Sequence, residues 1–163
     1  MVWSRVILDG ICMSLIFNLL VGLMWVLTPT TFSQMLPKGI RERTPKRTKK
    51  EKIILASWLY PTYICMFVYI AISTHLSGTT GVWNYFWSGY IIMFFVNLGD
   101  FFGLDWFFRS KVKEKIMIPG TEECKEWNTK EWMFSLGLVE HWILWPFIVC
   151  PLVGLITVGL CSL

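Results

Sequence analysis

Asn97, Asp100 and Asp105 sit in the stretch Val96-Asn97-Leu98-Gly99-Asp100-Phe101-Phe102-Gly103-Leu104-Asp105-Trp106, the tail of an apolar run that begins near Val82. Glu140 and His141 form a second polar pair, just ahead of the last apolar run. Together these are three carboxylates, one amide and one imidazole. Such a set can share protons, bind a small cation or polar ligand, or act as general base and acid. A charged side chain at the centre of a membrane helix costs about 2.5–3.5 kcal/mol on insertion scales, which makes its presence a functional signal. Asn97 and Asp100 are three residues apart and share a helix face. Asp105 lies five residues beyond Asp100, about 7–8 Å by helical rise. Asn18, in the middle of the first apolar run, adds an amide at neighbouring depth.

The chain is 55% hydrophobic with mean hydropathy +0.54, and ten Trp and twelve Phe give it an aromatic excess. Soluble domains stay near 45–50% apolar, and aromatic residues gather where membrane proteins meet headgroups. The expected class is an all-α integral membrane bundle forming one domain over residues 1–163. Spans are predicted at about 6–28, 53–76, 82–108 and 143–163. The first is too long and too polar (Asp9, Asn18) to read as a signal peptide. Pro61 is expected to kink the second. The stretch from Trp132 is too long for one upright helix, so a short interfacial helix over 132–142 is predicted before the last span. Pro146 then falls in the first turn, where its missing N–H costs little.

Connectors 30–52 and 109–131 are basic. The first carries Lys38, Arg41, Arg43, Lys46, Arg47, Lys49, Lys50 and Lys52; the second carries Arg109, Lys111, Lys113, Lys115, Lys125 and Lys130. That is 14 of the 15 Lys and Arg residues, while the turn Ser77-Gly78-Thr79-Thr80-Gly81 has none. The positive-inside rule places both basic connectors in the cytoplasm and both termini outside. Their charge suits contact with anionic lipid. A nucleic-acid partner is not expected, since no binding module accompanies the charge.

Five cysteines are scattered without CxxC or zinc spacing, and HExxH, GxSxG, Walker and dinucleotide-binding patterns are missing. No catalytic residue, metal ligand or cofactor is therefore assigned. Asp9 reads as a carboxylate reaching water beside Arg5, His75 as interfacial, and Cys124 as a solvated loop thiol. Gly99 and Gly103 form a Gly-x-x-x-Gly pair suited to close helix packing within or between chains. The bundle is small enough that a homo-oligomer is compatible with it.

Asn97-Leu98-Gly99-Asp100, Asp105-Trp106 and Ile118-Pro119-Gly120-Thr121-Glu122 resemble a family of small multi-pass membrane proteins of Gram-positive bacteria. Glu140-His141-Trp142, Trp145-Pro146 and Cys150-Pro151 share that character. The resemblance implies a bacterial plasma membrane and a multi-pass topology, but no reaction. In the family some relatives place a His soon after the Pro-Gly-Thr-Glu turn, where this chain has none before His141.

The functional expectation is a polar intramembrane site near the cytoplasmic face, formed by Asn97, Asp100, Asp105, Glu140, His141 and Asn18, that binds a small ligand, cation, proton or lipid headgroup. The alternative is a membrane-embedded enzyme, metal-dependent in one version, acting on a lipid-linked substrate. The topology is checked by cysteine labelling. Cysteines introduced at Lys46 and Ser77 are expected to react from opposite sides of the membrane, and labelling from the same side would remove the four-span arrangement.

Overall fold

A computed structural model describes all of residues 1–163. Trp3–Leu27, Lys49–Leu76, Val82–Ile116 and Thr129–Cys161 are helices long and apolar enough to cross a membrane, and the chain contains no strand. In hydrocarbon a backbone must satisfy its own polar groups, so apolar runs of this length become helices. Local chemistry sets their ends. Thr28 stops the first span by turning its N–H and Oγ1 onto the Met24 carbonyl at 2.8 and 2.9 Å, and Pro29 follows. Thr48 and Glu51 start the second with a reciprocal cap: Glu51 N–H donates to Thr48 Oγ1 and Thr48 N–H to Glu51 Oε2. Gly78 and Gly81, at φ +71° and +92°, make the turn into the third span.

The third span is the axis of the bundle. It packs along both the first and the fourth spans, and Ile92, Met93 and Val96 are buried to within 1%. The second span is peripheral; it rests mainly on the fourth and turns Tyr60, Ile64, Val68 and Ile72 outward. Exposed leucines and aromatics, including Leu15, Leu19, Leu76 and Phe147, cover the outside of the bundle, as a lipid-facing surface requires.

Two apolar cores are stacked end to end. One lies between the spans around Met13, Ile70, Met93, Val96, Trp145 and Val153. The other lies at one end, where Met24 and Trp25 meet Phe32, Leu36, Ile40, Ile116, Ile118, Cys124, Trp127 and Trp132. This second core is built largely by the two basic connectors, which therefore share one end of the bundle. They are folded rather than loose: Pro29–Met35 is a tight 3₁₀ turn, Lys38–Arg43 a short helix and Lys125–Trp127 a 3₁₀ turn. Cys124 is buried among them, its Sγ 3.7 Å from the Gly39 carbonyl, which corrects the reading of a solvated thiol.

Three further expectations are corrected. The third span does not stop at a basic cluster after residue 108 but continues to Ile116, carrying Arg109 into the interior. The fourth runs unbroken from Thr129 to Cys161, so residues 132–142 are part of that helix and not a separate interfacial one. Pro146 consequently lies inside the helix rather than in a first turn. The physical reason is common to all three: the folded connectors supply apolar partners past the ends that the sequence predicts, so the helices have contacts further along their length.

Glycines set the approach of the spans. A Cβ on Gly154 would stand 2.7 Å from the Phe86 ring and 2.9 Å from the Phe86 carbonyl oxygen, whereas one on Gly159 would meet nothing. Gly154→Leu is expected to lower stability by roughly 1–3 kcal/mol through overpacking, and Gly159→Leu to leave it unchanged. Thermal unfolding of the detergent-solubilised variants measures the difference.

Candidate functional site

The third and fourth spans meet at Asn97 and His141. Asn97 Nδ2 donates to the His141 carbonyl at 2.9 Å, and Asn97 Oδ1 faces His141 Nδ1 at 2.7 Å. A carbonyl only accepts, so the amide orientation is fixed and Nδ1 must carry a proton. His141 Nε2 lies 3.2 Å from Asp105 Oδ2. One proton therefore sits between Nε2 and the carboxylate: on the ring as imidazolium facing carboxylate, or on Asp105 facing neutral imidazole. In either form the pair is neutral overall. All three residues are buried, at 1%, 2% and 7% exposure for Asn97, His141 and Asp105.

The backbone explains why Asn97 is needed. Asp100–Phe108 and Glu140–Val149 are π-helical. Arg109 N–H reaches the Leu104 carbonyl and Cys150 N–H the Trp145 carbonyl, five residues back instead of four. In that register the N–H missing at Pro146 would have served the His141 carbonyl. The Asn97 amide serves it instead. The N–H missing at Pro151 would, in the same register, have served the Pro146 carbonyl, and Tyr90 Oη donates to that oxygen at 3.2 Å. Two prolines on the fourth span free two carbonyls, and two side chains of the third span satisfy them. π-Helical turns are rare and concentrate at functional sites.

Beside this contact lies a cavity of about 110 Å³ that all four spans line. Asp100, Asp105, Glu140 and His141 border it together with the aromatic residues Phe17, Trp25, Phe32, Tyr63, Trp132 and Trp145. Trp145 stacks on the His141 ring with centroids 6.1 Å apart. The indole Nε1 atoms of Trp25 and Trp132 are buried and find no acceptor in the protein. Of the residues named from the sequence, Asp100, Asp105, Glu140 and His141 thus meet at the cavity, and Asn97 holds His141 from behind. Asn18 is not brought there. Its Nδ2 turns back to the Ser14 carbonyl at 2.7 Å, and the side chain packs beside Gly99 and Gly103, which use their small size within the chain. The acidic groups and His141 do not converge as three ligands around one metal position.

Arg109 completes the charge pattern and was missed because it heads a basic run. It is fully buried: Nε donates to the Asp105 carbonyl at 2.9 Å, Nη1 to the Trp127 carbonyl at 3.0 Å and Nη2 to Thr129 Oγ1 at 2.9 Å. Its guanidinium lies over the Trp132 ring, 4.9 Å from the centroid. Three donors in a rigid fork reach three acceptors, a geometry lysine cannot reproduce.

A second polar cluster occupies the opposite end. Asp9, 3% exposed, accepts from Arg5 Nε at 3.1 Å, from Tyr69 Oη at 2.8 Å and from Ser73 Oγ. The carboxylate is therefore buried in an interhelical network and does not reach water, because the second span brings Tyr69 and Ser73 to it. Compared with protein-family models, curated proteins and solved structures, the chain matches none.

Removing the Asn97 amide leaves the His141 carbonyl and Nδ1–H unpaired, each at about 1–3 kcal/mol. Asn97→Leu is accordingly expected to lower stability by several kcal/mol. Arg109→Lys, by losing the fork, is expected to cost about 1–3 kcal/mol although it keeps the charge. Unfolding in detergent compares both with wild type, and full stability of Arg109→Lys would show that the fork is not what holds Arg109.

Proposed function

We propose that this multi-pass membrane protein holds exchangeable positive charge, as protons or a small cation, in the cavity between Asp100, Glu140 and the His141–Asp105 pair. The charge count carries the reading. The His141–Asp105 pair is neutral, Asp100 and Glu140 add two negative charges when ionised, and no Lys or Arg lines the cavity. The cavity is thus short of positive charge, and an uncompensated charge in a low-dielectric interior is costly. A volume of about 110 Å³ corresponds to roughly three or four waters at ~30 Å³ each. That is well below the ~300–1,000 Å³ typical of small-molecule pockets, which favours a small charged occupant over a lipid-linked substrate.

The protein is assigned to a bacterial plasma membrane on its resemblance to the Gram-positive family, with the cavity toward the cytoplasm and both termini outside. The shared end of the two basic connectors supports that orientation. Lys38, Arg41, Arg43, Lys46, Lys49 and Lys50 are exposed there and suit anionic headgroups.

The test is thermal stability of purified protein over a pH series, with and without added cation. Wild type is expected to melt higher as pH falls or as a fitting cation is added, since both supply the missing charge. Asp100→Asn removes one negative charge while keeping the shape; it is expected to fold and to lose that response. An unchanged pH and cation response in Asp100→Asn would overturn the proposal.

A further inference from the structure

We infer that the charge exchanged at this cavity is the proton, and that Glu140 is the residue through which it enters. The inference rests on the charge reading above and adds which charge moves and by what route. A second hollow, a groove of about 340 Å³, lies on the fourth span beside the first connector. Met35, Leu136 and Glu140 border both this groove and the cavity. Asp100, Asp105 and His141 border the cavity and not the groove. The groove is at the surface, since Met35, Val139 and Leu144, which border it, are exposed. Glu140 itself is half-buried.

Of the three residues that border both hollows, Glu140 alone can carry a proton. The groove brings no other titratable group: the rest of its border is Met35, Leu136, Val139, Leu144 and Ser135, whose Oγ donates to the Trp132 carbonyl at 3.3 Å. On the cavity the other titratable groups are Tyr63 of the second span, Asp100 and Asp105 of the third and His141 of the fourth; the first span and the connector bring none. A metal cation passing here would have to exchange its water for a shell of oxygens. The groove offers it one carboxylate among apolar side chains. A proton needs no such shell. Hydronium at the groove gives its proton to the Glu140 carboxylate and leaves as water. The Glu140 carboxyl then gives that proton to the Asp100 carboxylate, by way of water for which the cavity has room, and returns to carboxylate. The cavity gains one proton, and no other bond changes. Glu140 thus sets how fast charge exchanges, and Asp100 holds it.

Two measurements on the purified protein in a sugar-headed detergent test this. The first is labelling with dicyclohexylcarbodiimide, an apolar reagent that adds to protonated carboxyl groups, with the site read by peptide mass spectrometry. Glu140 is expected to label ahead of Asp100 and Asp105, and more slowly as pH rises. Glu140 left unlabelled at low pH, or Asp100 labelled as fast, would overturn the inference. The second is stopped-flow tryptophan fluorescence after a pH jump, in which Trp145, stacked on the His141 ring, reports the cavity. Glu140→Gln keeps Asp100, so it is expected to reach a pH response at equilibrium but about tenfold or more slowly. Glu140→Asp keeps the carboxyl and is expected to recover most of the rate, which a purely structural role for Glu140 would not produce. An unchanged rate in Glu140→Gln would overturn the inference and leave the charge reading standing. So would sodium, potassium or magnesium chloride raising the melting temperature, at equal ionic strength, as far as a fall in pH does. If Glu140→Gln does not fold, the labelling of wild type decides alone. A wild type insensitive to pH and to each of these salts would overturn both readings.

Discussion

Asn97 turns both ends of its amide toward one residue of the neighbouring span, and much of the molecule follows from that arrangement. Pro146 leaves the His141 carbonyl without its helical donor inside an apolar bundle. The Asn97 Nδ2–H supplies the donor at 2.9 Å, and this leaves Oδ1 to accept from His141 Nδ1. The imidazole is thereby oriented, its protonated nitrogen is determined, and Nε2 is aimed at Asp105. A backbone defect on the fourth span has become the device that positions a titratable ring. The π register that makes the defect fall on His141, rather than on Trp142, is part of the same construction.

The second core makes the burial of this site possible. Without the folded connectors, the ends of the first, third and fourth spans would lack their apolar cover. Phe32, Leu36 and Ile40 from one connector and Ile118, Cys124 and Trp127 from the other close that end over Trp25 and Trp132. Arg109 joins the two halves: it binds the carbonyl of Asp105 at the site and the carbonyl of Trp127 in the cap. It makes no ion pair to any carboxylate, because Nε, Nη1 and Nη2 each donate to a neutral acceptor and the guanidinium lies over the Trp132 ring. A cation held in this way offsets negative charge nearby while leaving the carboxylates free to meet something else.

The two ends of the bundle treat buried acid differently. At one end Asp9 accepts hydrogen bonds from Arg5, Tyr69 and Ser73, and its charge is answered by its own neighbours. At the other, Asp100 and Glu140 border a cavity, and no Lys or Arg pairs with either. The contrast separates a carboxylate that fastens helices together from carboxylates that await an occupant. Asp9 is buried, whereas Asp100 and Glu140 are half-buried.

The sequence by itself determined the class, the number of spans and most of the polar set. Apolar length, the exclusion of bare backbone from hydrocarbon and the distribution of Lys and Arg act on each segment separately, so they can be read without knowing its neighbours. The polar residues of the third and fourth spans stood out for the same reason, each being costly wherever it lies in a membrane. What only the tertiary structure decided was partnership. Asn18 and Asn97 are both amides inside spans, yet Asn18 folds back on Ser14 beside Gly99 while Asn97 reaches His141. Arg109 and Lys111 both belong to one basic run, yet Arg109 is fully buried and Lys111 exposed. Asp9 finds donors on a helix some sixty residues away. The lengths of the third and fourth helices were misjudged because they depend on the packing of connectors that look, in sequence, like charged loops. In each case the deciding energy is a contact between segments distant in the chain, and the local pattern of residues does not contain it.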